Sequence, residues 1–169
     1  MTTRRLVLIR HAKAEAHGGD DAKRRLAPRG ERDSHEIGRW LRQAGLTSGV
    51  AVVSPARRTV QTWDLAAEEL TRAPRTIEDE RLYNNTVEDL LAVIQEAPPQ
   101  ARTVILVGHN PSIAALATEL HDKTGDRAAA REIATKYPTS GIAVLAVAGP
   151  WSALAPGGAS LLSFTVPRG

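Results

Sequence analysis

Two histidines and two arginines of this chain stand where α/β proteins present reactive side chains, just past a run of apolar residues. Leu6-Val7-Leu8-Ile9 stops at Arg10-His11, Val50-Ala51-Val52-Val53 stops at Ser54-Pro55 with Arg57 and Arg58 next, and Thr103-Val104-Ile105-Leu106-Val107 stops at Gly108-His109. Each run is short and lacks a polar face, as strands buried on both sides do. Ligands of open α/β sheets gather at the carboxyl ends of the strands. If these strands are parallel, their ends lie on one side and the four polar groups converge. Taken singly, Arg10-His11 reads first as the polar stop of a core strand, and Arg58 reads equally as a surface arginine. Taken together they make a pocket for a phosphoryl group. The planar fork of arginine matches phosphate oxygens bidentately, and a neutral imidazole can attack phosphorus and hold the phosphoryl group covalently. Neighbouring arginines disfavour the imidazolium form and stabilise charge on the equatorial oxygens during transfer. This chemistry needs no metal and no cofactor. The chain has no cysteine, which removes disulfides, thiolate metal sites and cysteine nucleophiles.

The elements that must position these groups follow the same alternation. Residues 14–27 are polar, contain Gly18-Gly19-Asp20-Asp21, and read as a loop on the rim of the site. Ile37, Leu41 and Ala44, beside Trp40, lie at steps of three and four between Pro28 and Gly45, and predict a helix over 30–44. Val60, Trp63, Ala67 and Leu70 do the same over 56–70. Arg58 then falls in a first helical turn, where the dipole disfavours a cation unless it meets an anion. Thr76-Ile77 reads as a brief strand, and Thr86 as the N-cap of a helix that turns Leu90, Leu91 and Ile94 inward before Pro98-Pro99. Pro111 suits the opening turn of a helix carrying Ile113, Leu116, Ala117 and Leu120. Residues 121–141 read as a loop or irregular helix over one edge, and 142–147 and 161–166 as late strands. Strand and helix in alternation predict a three-layer α/β/α sandwich with a mostly parallel central sheet.

At 169 residues the chain has the size of one domain, 1–169. Lys and Arg number 22 against 19 Asp and Glu, a net charge of +3 that suits anionic ligands. The compact run Lys23-Arg24-Arg25 has no interleaved aromatic residues, so it reads as a solvated rim and not as a nucleic-acid surface. The four-residue apolar run after Arg5 is too short for a secretion signal or a membrane span, so a cytoplasmic protein with no membrane partner is expected.

Arg10-His11-Ala12, the segment Ser54-Pro55-Ala56-Arg57-Arg58-Thr59-Val60-Gln61-Thr62 and Val107-Gly108-His109-Asn110 resemble, in order and spacing, three segments of the histidine phosphatase superfamily, the phosphoglycerate-mutase-like fold. Leu26-Ala27-Pro28-Arg29-Gly30 is similar to a segment of its short SixA-type phosphohistidine phosphatases. The resemblance runs from Leu6 to about Leu120. It implies His11 as the phosphoryl-accepting nucleophile and Arg10, Arg58 and His109 as the phosphate-binding pocket. Asp79-Glu80-Arg81-Leu82-Tyr83 is similar to the mutase-like segment that carries the proton donor, which makes Glu80 the candidate general acid and Asp79 the next; a plain surface carboxylate is the other reading of Glu80. Two features depart from the family pattern. Ala12 stands in place of the usual glycine, a methyl group that is tolerable where φ is negative. Lys13 and His17 occupy the region where larger relatives make other contacts, and His17 reads as a loop histidine. The expected activity is that of a metal-independent phosphatase working through a covalent phosphohistidine, with protein phosphohistidine as substrate because few residues are left for a long lid. A phosphatase of small phosphoesters or sugar phosphates is the alternative substrate class, and a non-catalytic anion-binding adaptor the alternative of another kind.

Overall fold

The computed structural model describes residues 3–16 and 19–169. Strands β1 (Arg4–Arg10), β2 (Gly49–Val53), β3 (Arg75–Glu78), β4 (Thr103–Gly108), β5 (Ile142–Val147) and β6 (Ala159–Thr165) form one sheet in the order β3-β2-β4-β1-β5-β6. The first four of that order are mutually parallel, whereas β5 runs antiparallel to both β1 and β6. Helices α1 (Pro28–Ala44), α2 (Arg57–Glu68), α3 (Val87–Gln95), α4 (Ser112–Leu120) and α5 (Arg127–Thr135) complete the layers.

The unbroken apolar runs are explained by two cores. Along β1, Leu6 and Leu8 enter one cluster with Leu90, Ile94, Ile113 and Leu116 of α3 and α4, while Val7 and Ile9 enter another with Ile37, Leu41, Trp63 and Ala66 of α1 and α2. Strands β2 and β4 divide in the same way, Val50, Val52, Val104 and Leu106 to the first cluster and Ala51, Val53, Ile105 and Val107 to the second. Successive side chains point to opposite faces, so a strand covered by helices on both sides must be apolar throughout. Each fully buried Leu, Ile or Val contributes about 1.5–3 kcal/mol relative to exposure, and it is this burial that holds the strand ends still.

Helix α1 opens on Pro28 and stops at Gly45, whose φ of 70° is the left-handed conformation glycine takes most readily. Gly30 lies against the loop after β1 so closely that a Cβ there would sit 2.0 Å from the Lys13 carbonyl oxygen. Thr86 caps α3 in a reciprocal box with Asp89. Residues 121–141, expected as a loop or irregular helix, contain the regular helix α5, capped by Asp126 through the Ala129 amide. Only Ala129 and Ile133 of α5 are buried, so its apolar stripe is too narrow to stand out against an otherwise polar segment. Among the described residues no helix is long and apolar enough to cross a membrane.

Candidate active site

His11 sits one residue past β1, on backbone fastened from three sides. The His11 amide donates to Gly108 O at 3.0 Å, the Arg10 amide donates to Gly141 O at 3.0 Å, and the Ser140 amide donates to both Arg10 O and His11 O at 3.1 Å. The Ala12 amide donates to Thr62 Oγ1 at 3.0 Å. Among the described residues the non-glycine positions with positive φ are Asn84, Lys123 and Ser140, so Ala12 carries its methyl group without backbone strain.

The His11 ring has a defined tautomer. Its Nδ1 lies 2.7 Å from Ala12 O; a carbonyl oxygen only accepts, so Nδ1 bears the proton and Nε2 keeps its lone pair. Burial, followed by the nearby His109, Arg58 and Arg10, pushes the ring down to about 3 against the opposing pull of the Ala12 bond. The imidazole is therefore neutral across the neutral range, with an unprotonated Nε2 that keeps its lone pair.

Arg58 is the second residue of α2 and is 5% exposed. Its Nη1 donates to Asp21 O at 2.9 Å, and its Nη2 donates to Asp21 Oδ2 at 3.1 Å and to His109 Nδ1 at 3.2 Å. The anion that a cation in a first helical turn calls for is thus present in the chain itself. His109 stands one residue past β4, its ring centroid 5.3 Å from that of His11. Burial first, then Arg58, lowers it to about 4, with Asp21 opposing. Arg10 directs Nη1 to Tyr137 O at 2.9 Å, while its charge disfavours the protonated form of both histidines. Among the described residues the Nε atoms of Arg10, Arg24 and Arg58 are buried without partners, each a desolvation cost of about 1–3 kcal/mol.

The structure brings His11, Arg10, Arg58 and His109 together and leaves Glu80 aside. Glu80 opens a short 3-10 turn (Glu80–Leu82) whose Leu82 is fully buried, and its own side chain is exposed and lines no part of the cavity beside His109. Asp79 caps that turn through the Arg81 amide and pairs with Arg81 Nη2 at 2.8 Å. What this segment sends to the site is Tyr83, whose hydroxyl donates to Asp21 Oδ2 at 2.6 Å and whose ring packs 5.4 Å from His109.

Asp21 is the carboxylate of the site. It heads another 3-10 turn (Asp21–Lys23), accepts from Tyr83, Arg58 and Arg24, and is held well below the usual carboxylate range by the Tyr83 hydroxyl first and the two guanidinium groups after it. The sequence marks 14–27 as rim but carries no signal for Asp21: an aspartate in a Gly-Asp-Asp turn looks like turn chemistry, and only the folded loop sets it on Arg58. His17 lies outside the described residues.

A cavity of about 320 Å³ opens beside this cluster, walled by Asp21, Arg58, Tyr83, Asn84, Asn85 and His109. A larger groove of about 500 Å³ between α5 and β6 contains neither histidine nor any other member of the cluster, so chemistry and not size selects the site. Among the described residues no three His, Cys, Asp or Glu side chains form a metal-ligand set.

The family model of the histidine phosphatase superfamily (branch 1) matches residues 6–147. An uncharacterised protein of Mycobacterium tuberculosis strain H37Rv is 43% identical over 163 residues, covering 95% of this chain and all of that protein. A solved structure from Nakamurella multipartitia, described as a candidate phosphohistidine phosphatase SixA, is 33% identical with a TM-score of 0.87, covering 98% of this chain and 96% of its own. Its counterpart from Agrobacterium tumefaciens, with the same description, is 25% identical with a TM-score of 0.81, covering 97% and 98%. A phosphoglycerate mutase of Plasmodium falciparum shares the fold at a TM-score of 0.65 and 16% identity, covering all of this chain and 94% of its own.

Proposed function

The chain belongs to the histidine phosphatase superfamily, and from that premise we propose that it dephosphorylates phosphohistidine on a partner protein through a covalent phosphoryl group on His11. One observation carries this reading: the Nδ1 proton of His11 is committed to Ala12 O, which leaves a buried, neutral Nε2 beside Arg58 and His109. In the first step the Nε2 lone pair forms a bond to phosphorus, the bond to the leaving nitrogen breaks, and that electron pair returns to the leaving ring. Arg10 and Arg58 meet the charge on the equatorial oxygens, and His109 holds the phosphoryl group from the side. In the second step water attacks phosphorus, the bond to His11 breaks with its pair returning to Nε2, and the water's two protons leave on the phosphate or pass to solvent.

The choice of phosphohistidine over an alkyl ester is supported by the cavity wall. An alkoxide needs a proton donor to leave, and the carboxylate lining the cavity, Asp21, is held ionised by Tyr83, Arg58 and Arg24. An imidazole already protonated on its other nitrogen leaves as a neutral ring without help. Asn84, Asn85 and Tyr83 offer such a ring hydrogen-bonding partners and no second positive charge.

The test is to incubate the protein with a radiolabelled phosphohistidine peptide and quench in mid-reaction. An acid-labile adduct is expected on wild type and not on His11→Ala, whose turnover falls by roughly four orders of magnitude or more. Faster turnover of alkyl phosphates than of the peptide would transfer the assignment to small phosphoesters. Absence of both adduct and turnover would reduce the site to an anion-binding module.

A further inference from the structure

Ser54 follows β2 directly, where Pro55 ends the strand, and is fully buried. Its amide donates to Val107 O at 3.0 Å, so the residue is tied to β4, the strand that carries His109. Its Oγ lies 2.8 Å from His109 Nε2. On the opposite edge of the same ring, Arg58 Nη2 lies 3.2 Å from Nδ1. A guanidinium has donors and no acceptor, so Nδ1 must accept and carries no proton. The neutral ring then has its hydrogen on Nε2, which donates to Ser54 Oγ. The serine is fixed by the turn that opens α2: Oγ also accepts from the Ala56 amide at 3.4 Å, and Thr59 Oγ1 donates to Ser54 O at 2.8 Å. One short stretch, residues 54–59, thus supplies an acceptor to one nitrogen of His109 and a donor to the other.

We propose that Ser54 is a positioning residue that selects which edge of His109 meets the phosphoryl group. By accepting from Nε2 it keeps Nδ1 turned toward Arg58 and the incoming anion. A lone pair at Nδ1 repels a phosphoryl oxygen, so anion binding is accompanied by uptake of one proton from solvent at that nitrogen. The imidazolium so formed has both N–H groups satisfied, one by Ser54 and one by the anion, while Arg58 releases Nδ1 and turns to the phosphoryl oxygens. The charged and titratable groups around the ring are Arg10 and His11 at the end of β1, Asp21 and Arg24 from the rim loop, Arg58 from α2 and Tyr83. The arginines oppose the added proton and Asp21 favours it.

This inference rests on His109 contacting the phosphoryl group, as in the reading above, but its deciding readouts, the His109 tautomer and phosphate affinity, need no turnover. In ¹⁵N spectra of the anion-free protein, His109 is expected to show a protonated Nε2 and an unprotonated Nδ1, and titration with inorganic phosphate is expected to protonate Nδ1. Ser54→Ala should weaken phosphate binding and raise KM by roughly tenfold, the scale of one hydrogen bond to a charged group, with kcat changed far less. The limb on which binding falls with rising pH should move to lower pH, because the imidazolium has lost an acceptor. Ser54→Thr, which keeps the hydroxyl, should restore binding. A proton on Nδ1 in the free wild-type protein overturns the proposal, as does a folded Ser54→Ala variant with unaltered tautomer and phosphate affinity. Loss of the His11 adduct with the His109 tautomer as described would instead count against the phosphatase reading alone.

Discussion

His11 and His109 each stand one residue beyond a strand buried on both faces, whereas Asp21 and Tyr83, which face them across the cleft, hang from short 3-10 turns at the surface. The histidine side is positioned by backbone: amides of Arg10, His11 and Ser140 bind neighbouring carbonyls, and a displacement of His11 would break several of those bonds together. The loop side is positioned by side chains, chiefly Asp21 on Arg58 and Tyr83 on Asp21. Charge divides along the same line. The histidines are held neutral by burial and the arginines, and the aspartate is held ionised by the donors around it. The nucleophile proposed for His11 needs a fixed direction and an available lone pair, which strand ends and burial supply. A wall that admits and releases a ligand needs contacts that can be exchanged, which side-chain bonds supply.

Arg58 joins the two sides, bonding to Asp21 and His109 at once, so its removal is the largest test of this division short of removing His11. Arg58→Ala is expected to lower kcat/KM on a phosphohistidine peptide by roughly 10²–10³-fold, in line with loss of a buried donor to transition-state charge. Arg58→Lys should recover only part of that, since a point charge cannot reproduce two directed bonds. A loss of only a few-fold in Arg58→Ala would mean that the strand-borne groups suffice without a link to the loop side.

Asp21→Asn sharpens the comparison from the other direction. An anion that engages the Arg58 fork has to share it with or take it from the Asp21 carboxylate, so neutralising that carboxylate should tighten inhibition by inorganic phosphate by roughly three- to tenfold, the scale of one partly exposed charge pair. The effect on kcat should be smaller. If instead kcat collapses while phosphate affinity is unchanged, Asp21 takes part in the chemistry and the loop side is more than a wall.

The same contrast explains what was legible in the chain. A strand buried on both faces leaves an uninterrupted apolar run, so the ends of β1, β2 and β4, and with them Arg10, His11, Arg58 and His109, could be located from residue type alone. Their meeting in space followed from the parallel order of those strands. Asp21 left no such trace, because its place depends on how residues 14–27 fold back over α2, where Gln61 Oε1 accepts from the Leu26 amide at 2.8 Å. Nor did Ser54, a small polar residue before a proline whose meaning appears only once His109 lies against it. Helix α5 and the antiparallel direction of β5 were hidden for a related reason. A narrow apolar stripe carries little periodic signal, and an apolar run does not state which way it points.

Glu80→Gln is the smallest effect and separates resemblance from geometry. The segment 79–83 is similar to one that carries a proton donor in mutase-like relatives, yet here Leu82 is buried in the core and turns Glu80 to solvent, while Tyr83 reaches the cavity. A general acid has to come within hydrogen-bond reach of the leaving atom, directly or through one water. Glu80→Gln should therefore change kcat/KM on a phosphohistidine peptide by less than about twofold, within the range of a surface substitution. Tyr83→Phe, which removes a donor to Asp21, should change it more. A drop of two orders of magnitude in Glu80→Gln, with Tyr83→Phe near wild type, would require the turn to swing Glu80 over the cleft during the reaction. In that event the loop side would be the moving half of the catalytic site.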